Sequence, residues 1–384
     1  MSKIFIGLIF TFFSTVVLAV PAFADKGDYE RRLKALEERQ KANSALLEVL
    51  KRLTWGGDFR LRYQHDAQDL EGTNTLDRNR FRLRFRLNGK VHMYKDLDIG
   101  FRMVTGATGI QTATNTTFDE GFGSKSFDLD RAYFKWNPKP FKLQGGKFQT
   151  PFMKSELIWQ NDVNVEGVSE EFSHKMGDTR LELILGQFVI DEIHPGDDIY
   201  LLAYQGILQQ QTKIGKFKIA IAYYDYVNHE DPATAPTAFG NATVNPTTSE
   251  VKLVNLMSDW SEKIFGYTLK IFGEYAQNIG ALAAGNADLD TAWQTGFQYG
   301  KSGQRFGDFD MRLIYRVVQT EAVLDVLADA IFNGGSNNAK GIEAGGSFGL
   351  RKGVRVSFTY FNTVEERGAR NERQSFQADL SFNF

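Results

Sequence analysis

Residues 80–87 read Arg-Phe-Arg-Leu-Arg-Phe-Arg-Leu. On a strand, successive side chains point to opposite faces. Phe81, Leu83, Phe85 and Leu87 then share one face, and Arg80, Arg82, Arg84 and Arg86 share the other. The end of the chain repeats the pattern. Phe376, Ala378, Leu380, Phe382 and Phe384 fall on one side, and Gln377, Asp379, Ser381 and Asn383 on the other. Weaker alternation runs through 59–63, 217–223, 267–275, 309–317 and 354–360. Alternation alone also suits a soluble β-sandwich. An export signal, the number of strand-like segments and the aromatic-rich apolar faces favour a transmembrane barrel. In lipid every backbone polar group must be paired, and without helices a closed sheet does this.

The fold class expected is all-β: a transmembrane antiparallel β-barrel of about sixteen strands over residues 54–384, preceded by a short α-helical coiled coil. The strand-like segments are 55–65, 77–91, 96–106, 127–137, 141–149, 165–173, 179–190, 198–210, 215–228, 250–259, 264–277, 290–300, 306–319, 341–350, 353–364 and 372–384. Short connectors such as Pro138-Lys139-Pro140 alternate with long ones such as 107–126, 150–164, 229–249 and 320–340. That asymmetry is usual for outer-membrane barrels. The stretch 141–173 is poorly patterned, so fourteen or eighteen strands stay open. Abundant phenylalanine and glycine with little proline fit a chain made mostly of strands.

Residues 1–24 read as a signal peptide. Lys3 precedes the apolar run 4–20, and Ala22-Phe23-Ala24 supplies a small-x-small cleavage site before Asp25. After residue 24 no apolar run reaches the ~18 residues that a spanning helix needs. The chain has no cysteine, so an exported fold must close by hydrogen bonding and packing. A net charge of -2 gives no basis for nucleic-acid binding. Residues 25–53 carry a coiled-coil seam of Tyr29, Leu33, Leu36, Leu47 and Leu50, with Gln40 and Asn43 at its polar middle. A solitary amphipathic helix is the alternative. Residues 323–331 place Val323, Leu327 and Ile331 four apart, the spacing of a short helix.

Several stretches resemble the bacterial outer-membrane "putative porin" family: 127–136 (FDLDRAYFKW), 143–152 (LQGGKFQTPF), 161–167 (NDVNVEG), 326–329 and 334–341. The resemblance covers nearly the whole barrel. It implies an outer-membrane channel for passive diffusion of small hydrophilic solutes and ions, trimeric by similarity to porins generally. It assigns no catalytic, cofactor or metal-binding residue. The partners expected are outer-membrane lipids and lipopolysaccharide, the barrel-assembly machinery, further copies in a homotrimer, and peptidoglycan through residues 25–53. A structural tether acting through the coiled coil is the alternative function.

The arginines follow from the register. Were Phe81, Leu83, Phe85 and Leu87 to face the lumen, four guanidinium groups would face hydrocarbon, at ~2–4 kcal/mol each near the midplane. Arg80, Arg82, Arg84 and Arg86 therefore face inward, as do Arg60 and Arg62 on the first strand and Arg102 on the third. Same-face neighbours stand ~7 Å apart, inside the ~8 Å Debye length at physiological salt. Their fields overlap and favour anions. In general porins the loop after strand five folds into the lumen and sets an acidic wall against arginines. By that resemblance Glu156 and Asp162 would oppose some of Arg60, Arg62, Arg80, Arg82, Arg84 and Arg102. The alternative is that the arginines pair with lumenal carboxylates and merely fill the barrel. The terminal Phe384 resembles the assembly signal of outer-membrane barrels. Five histidines, none in a nucleophile motif or at metal-ligand spacing, offer no catalytic constellation.

Overall fold

The computed structural model describes residues 26–69, 76–106, 112–229, 250–282, 288–368 and 370–384. The signal peptide expected over 1–24 lies outside the described residues. Helix α1 spans Lys26–Arg52. It is rich in strong helix formers and free of proline. Lys51 and Arg52 sit in the last turn, where cations suit the helix dipole. Tyr29, Leu33 and Leu36 are exposed along it. The side chains of Asn43, Leu47 and Leu50 lie outside the described residues. Among the described residues α1 is the one α-helix. Helix and barrel are separate compact units.

The barrel strands are β1 (Leu53–Asp69), β2 (Leu76–His92), β3 (Leu97–Thr105), β4 (Thr116–Thr117), β5 (Phe127–Trp136), β6 (Phe141–Gln149), β7 (Asn164–Met176), β8 (Thr179–Asp191) and β9 (Ile199–Thr212). They continue as β10 (Gly215–Val227), β11 (Val251–Ile264), β12 (Tyr267–Asn278), β13 (Thr291–Gly300), β14 (Phe309–Val318), β15 (Ala339–Arg351), β16 (Val354–Glu365) and β17 (Glu372–Asn383). The two-residue β4 pairs with β2 from within a long connector. The other sixteen form a closed antiparallel barrel in chain order, with β3 paired to β5. β1 closes on β17 from Asp58↔Asn383 to Asp69↔Glu372.

The alternation sorts as the barrel requires. Leu61, Phe81, Ile99, Leu129, Leu183, Ile221, Ile271, Leu313 and Phe358 are exposed on the outer face. Outward rings also pair across strands, as in Tyr204–Tyr223 and Trp293–Tyr315, with centroids 6.4 and 5.6 Å apart. Among the described residues no helix is long and apolar enough to cross a membrane. The strands are the spanning elements.

The interior departs from a simple polar lumen. From β6 to β11 the inward positions turn apolar: Phe148, Ile184, Leu201, Tyr224, Tyr226 and Leu253 are all buried. Against them pack Phe152, Leu157 and Trp159 from the 150–163 loop, and Val323, Leu324 and Leu327 from the 319–338 loop. Two infolded loops thus form a hydrophobic plug on one side of the barrel. Gly146 and Gly167 pair across β6–β7 beside that loop. Gly167 has φ +147°, and a Cβ there would stand 2.1 Å from the Gln187 carbonyl oxygen.

The short helix expected at 323–331 does not form. The segment runs as turns into a single 3-10 turn, Phe332–Gly335. Asn333 and Gly334 take positive φ, which ends any helix. Asp329 accepts hydrogen bonds from the amides of Ile331 and Phe332 (2.9 and 3.2 Å) and so stabilises a turn instead. The four-residue spacing of apolar side chains reflects burial in the plug.

Candidate functional site

Beside the plug lies a cavity of about 890 Å³, lined from β1 and β2, from β11 to β17, and by both infolded loops. Its lining is charged: among the described residues, twelve side chains are basic and nine acidic.

The basic wall is built on β1 and β2. Arg60, Arg62, Arg80, Arg82 and Arg84 border the cavity. Most are held by carboxylates. Arg62 grips Asp379 on β17 with Nε and Nη2, both at 2.7 Å. Arg60 reaches the same carboxylate at 3.6 Å and donates to Asn115 at 2.5 Å. Arg80 pairs with Asp66, which also accepts from Ser375 at 2.7 Å. Arg84 pairs with Asp58 at 2.8 Å. Arg82 donates to Gln64 at 3.2 Å, and among the described residues no carboxylate stands within ion-pair distance of it. Arg78, at the mouth, shares that condition.

Two expected wall residues stand elsewhere. Arg86 bridges Asp58 (2.5 Å) and Asp162 (3.1 Å), away from the cavity lining. Arg102 is buried and paired with Asp130, beside a register shift in the β3–β5 pairing. The infolded loop covers both, because Asp162 lies over this part of the wall and accepts from Thr114 at 3.0 Å. Asp162 therefore belongs to the basic side rather than facing it. Burial would raise its pKa, but Arg84 and Arg86 prevail and hold it below the usual carboxylate range.

Glu156 opposes none of the arginines expected. Its neighbours are Asp329 from the 319–338 loop and Glu343 from β15. Carboxylate oxygens of the three lie within 4.8 Å of one another. Two arginines on β14 bind this cluster. Arg312 donates to Glu343 at 2.5 Å, and Arg316 to Asp329 at 2.9 Å, with the guanidinium carbon 4.7 Å from the centre of the Phe332 ring. Three such carboxylates could ligate a hard cation, but the guanidinium groups already neutralise much of their charge. Burial, then the two neighbouring carboxylates, raise the Glu156 pKa to about 7. Burial also lowers Lys154, on the same loop, to about 8.

The loops are tied to each other and to the wall. Gln160 N–H donates to Leu327 O at 2.7 Å, Asp329 N–H to Glu156 O at 3.0 Å, and Ala330 N–H to Gln160 Oε1 at 3.1 Å. The Gln205 carboxamide binds both backbone groups of Met153, at 2.7 and 2.8 Å. Ser155 donates to Glu274 and accepts from Gln294. The plug takes up one side of the barrel, so the cavity lies between it and the charged walls.

A family model described as "Putative porin" matches residues 71–259 and 249–384. The chain belongs to the "Putative porin" family. No curated protein matches it. Among solved structures this porin is similar to OprB of Pseudomonas putida, solved at high pH, with TM-score 0.59, 11% identity, and coverage of 88% of this chain and 96% of that one. It is also similar to an anion-selective porin from Comamonas acidovorans, with TM-score 0.52, 11% identity, and coverage of 86% and 99%. At such identity the likeness is one of fold. The acidic and basic groups on β12 to β15 of this porin were not singled out from sequence. A signal for Arg312 and Arg316 existed, since alternation over 309–317 puts both on the face opposite Leu313 and Tyr315.

Phe384 lies where the barrel closes. Its backbone exchanges hydrogen bonds with Gly57 at 2.9 and 3.1 Å. Its ring lies 6.1 Å from that of Phe85, nearly parallel to it. A Cβ on Gly57 would come within 2.7 Å of the Phe384 ring.

Proposed function

We propose that this porin forms a water-filled channel in the bacterial outer membrane, admits small hydrophilic solutes and ions by passive diffusion, and prefers anions. The observation that carries the reading is the charge of the cavity lining, twelve basic side chains against nine acidic. Among the described residues Arg78 and Arg82 have no carboxylate within ion-pair distance, so two of the positive charges are not cancelled there. The lumen is read as a passage rather than a reaction site, in keeping with a family of channels. Signal-peptide cleavage after Ala24, assembly into trimers, and recognition of Phe384 by the barrel-assembly machinery belong to this reading.

Single-channel recording in planar bilayers tests it. Stable open steps with anion-selective reversal potentials are expected. Closed or cation-selective channels would count against it.

A second reading rests on Tyr29, Leu33 and Leu36, which are exposed on α1. Such a seam suits helix pairing, and a tether to peptidoglycan could use it. Pull-down with sacculi, with and without residues 25–53, separates the two roles; equal recovery removes the tether.

A further inference from the structure

One sector of the outer face does not suit lipid. On β7 the inward residue Val165 is buried, and on β8 so are Ile184 and Phe188. The intervening positions therefore point outward. They include Glu166 and Glu170 on β7 and Gln187 on β8. The cross-strand register agrees. Glu170 stands between Leu143 of β6 and the exposed Leu185 of β8. Glu166 stands opposite Lys147 of β6 and pairs with it. Gln187 donates to Glu170 at 3.2 Å.

This cluster does not belong to a rim. Lys147 pairs across the sheet with Ala132, leaving the outward Phe127 and Leu129 beyond it on β5. Beyond Gln187 stand the exposed Val189 and Tyr200. Among the described strands, Glu170 is the one charged outward residue more than two positions from a strand end. Acyl chains offer it no hydrogen bond, and one amide leaves most of a carboxylate's acceptor capacity unmet.

We infer that the β6–β8 face, centred on Glu170 and Gln187, is an interface covered by a second copy of this chain. Only protein can present polar groups at that depth of a bilayer. A second copy meets the requirement by construction, because the same aromatic and apolar bands seat its wall at the same height. The patch carries both signs, so it matches a mixed polar surface rather than a purely cationic or anionic partner. The inference rests on reading the barrel as a membrane-spanning porin.

The chain's lack of cysteine makes the test clean. Val168→Cys reports on the patch and Leu313→Cys on the apolar wall of β14; each carries a fluorophore in vesicles of brominated phosphatidylcholine. Strong quenching at position 313 and several-fold weaker quenching at 168 is expected; equal quenching overturns the interface. Native mass spectrometry of the full chain is the second measurement. Glu170→Leu with Gln187→Leu should convert oligomers to monomers, and unchanged oligomers overturn the assignment. Conductance per barrel reads the porin reading separately. Open monomeric wild-type channels would sink the interface and leave the channel standing.

Discussion

Removing Arg80, Arg82 and Arg84 together should abolish most of the anion preference. The lining would fall from twelve basic against nine acidic side chains to nine against nine. A unit charge ~10 Å from a permeating ion acts with about 0.4 kcal/mol in water, and screening over ~8 Å reduces this to about 0.1 kcal/mol. Removing the three side chains takes an arginine partner from Asp66 and from Asp58 and lowers the net charge of the wall by three, which gives about 0.4 kcal/mol, or about twofold for each ion and about fourfold in the anion-to-cation ratio. The triple alanine variant should bring that ratio close to one in a reversal-potential measurement near physiological salt. At 1 M salt, where the Debye length is ~3 Å, wild type and variant should converge. The single variant Arg82→Ala refines the test. Arg80 and Arg84 leave Asp66 and Asp58 unpaired when removed, whereas Arg82 leaves a glutamine. Its loss should lower the ratio about 1.5-fold with little change in the ion-pair network. A triple variant with an unchanged reversal potential would refute the claim that the charge excess sets selectivity.

Three further outcomes are expected. Glu156→Gln should alter how the plug responds to pH. With its folded pKa raised to about 7 from 4.5, Glu156 favours the fold below pH 4.5, and stability declines as pH rises from 4.5 to 7. The variant should lack that decline, worth about 1–3 kcal/mol, in a thermal-unfolding series over pH 4–8. Phe384→Ala removes the ring that lies against Phe85 and should slow barrel closure, read as loss of the heat-modifiable band on gels; normal assembly kinetics would deny the terminal ring its role. Gln160→Ala removes the acceptor of the Ala330 amide, at about 1–2 kcal/mol. It should loosen the contact between the loops and raise open-channel noise, with quiet wild-type-like traces as the contrary result.

Much of the wall was legible from the chain. In 80–87 every residue agrees with one period, and no other register keeps four guanidinium groups out of lipid. The strand count came through even across 141–173, because Pro138, Pro140 and the long 150–163 insertion punctuate it. The lumen was less legible, for a physical reason. Side-chain period tells which face a residue takes but not which loop will lie over it. Asp162 and Glu156 sit six residues apart on one loop, yet the first packs on the basic wall and the second on the acidic cluster of β15. The plug escaped notice in the same way. Continuous apolar character at Leu201, Ala203, Tyr224 and Leu253 looks like a strand buried on both sides, and only the fold shows what buries the inner side.

The pairing pattern separates two roles that one row of arginines would otherwise merge. Arg62, Arg80, Arg84, Arg86 and Arg102 each meet a carboxylate from their own or a neighbouring strand, or from the infolded loop. A guanidinium so held contributes to wall rigidity and little to the net field. On the proposed reading, selectivity resides in the imbalance, at Arg78 and Arg82 and in the lining as a whole. That imbalance matters only if ions pass close to it, since a charge more than a Debye length away is largely screened. The apolar plug enforces the approach by closing the other side of the barrel. Phe152, Trp159 and Leu324, buried in the plug and outside the cavity lining, are on the proposed reading what brings ions close to the charges of β1 and β2.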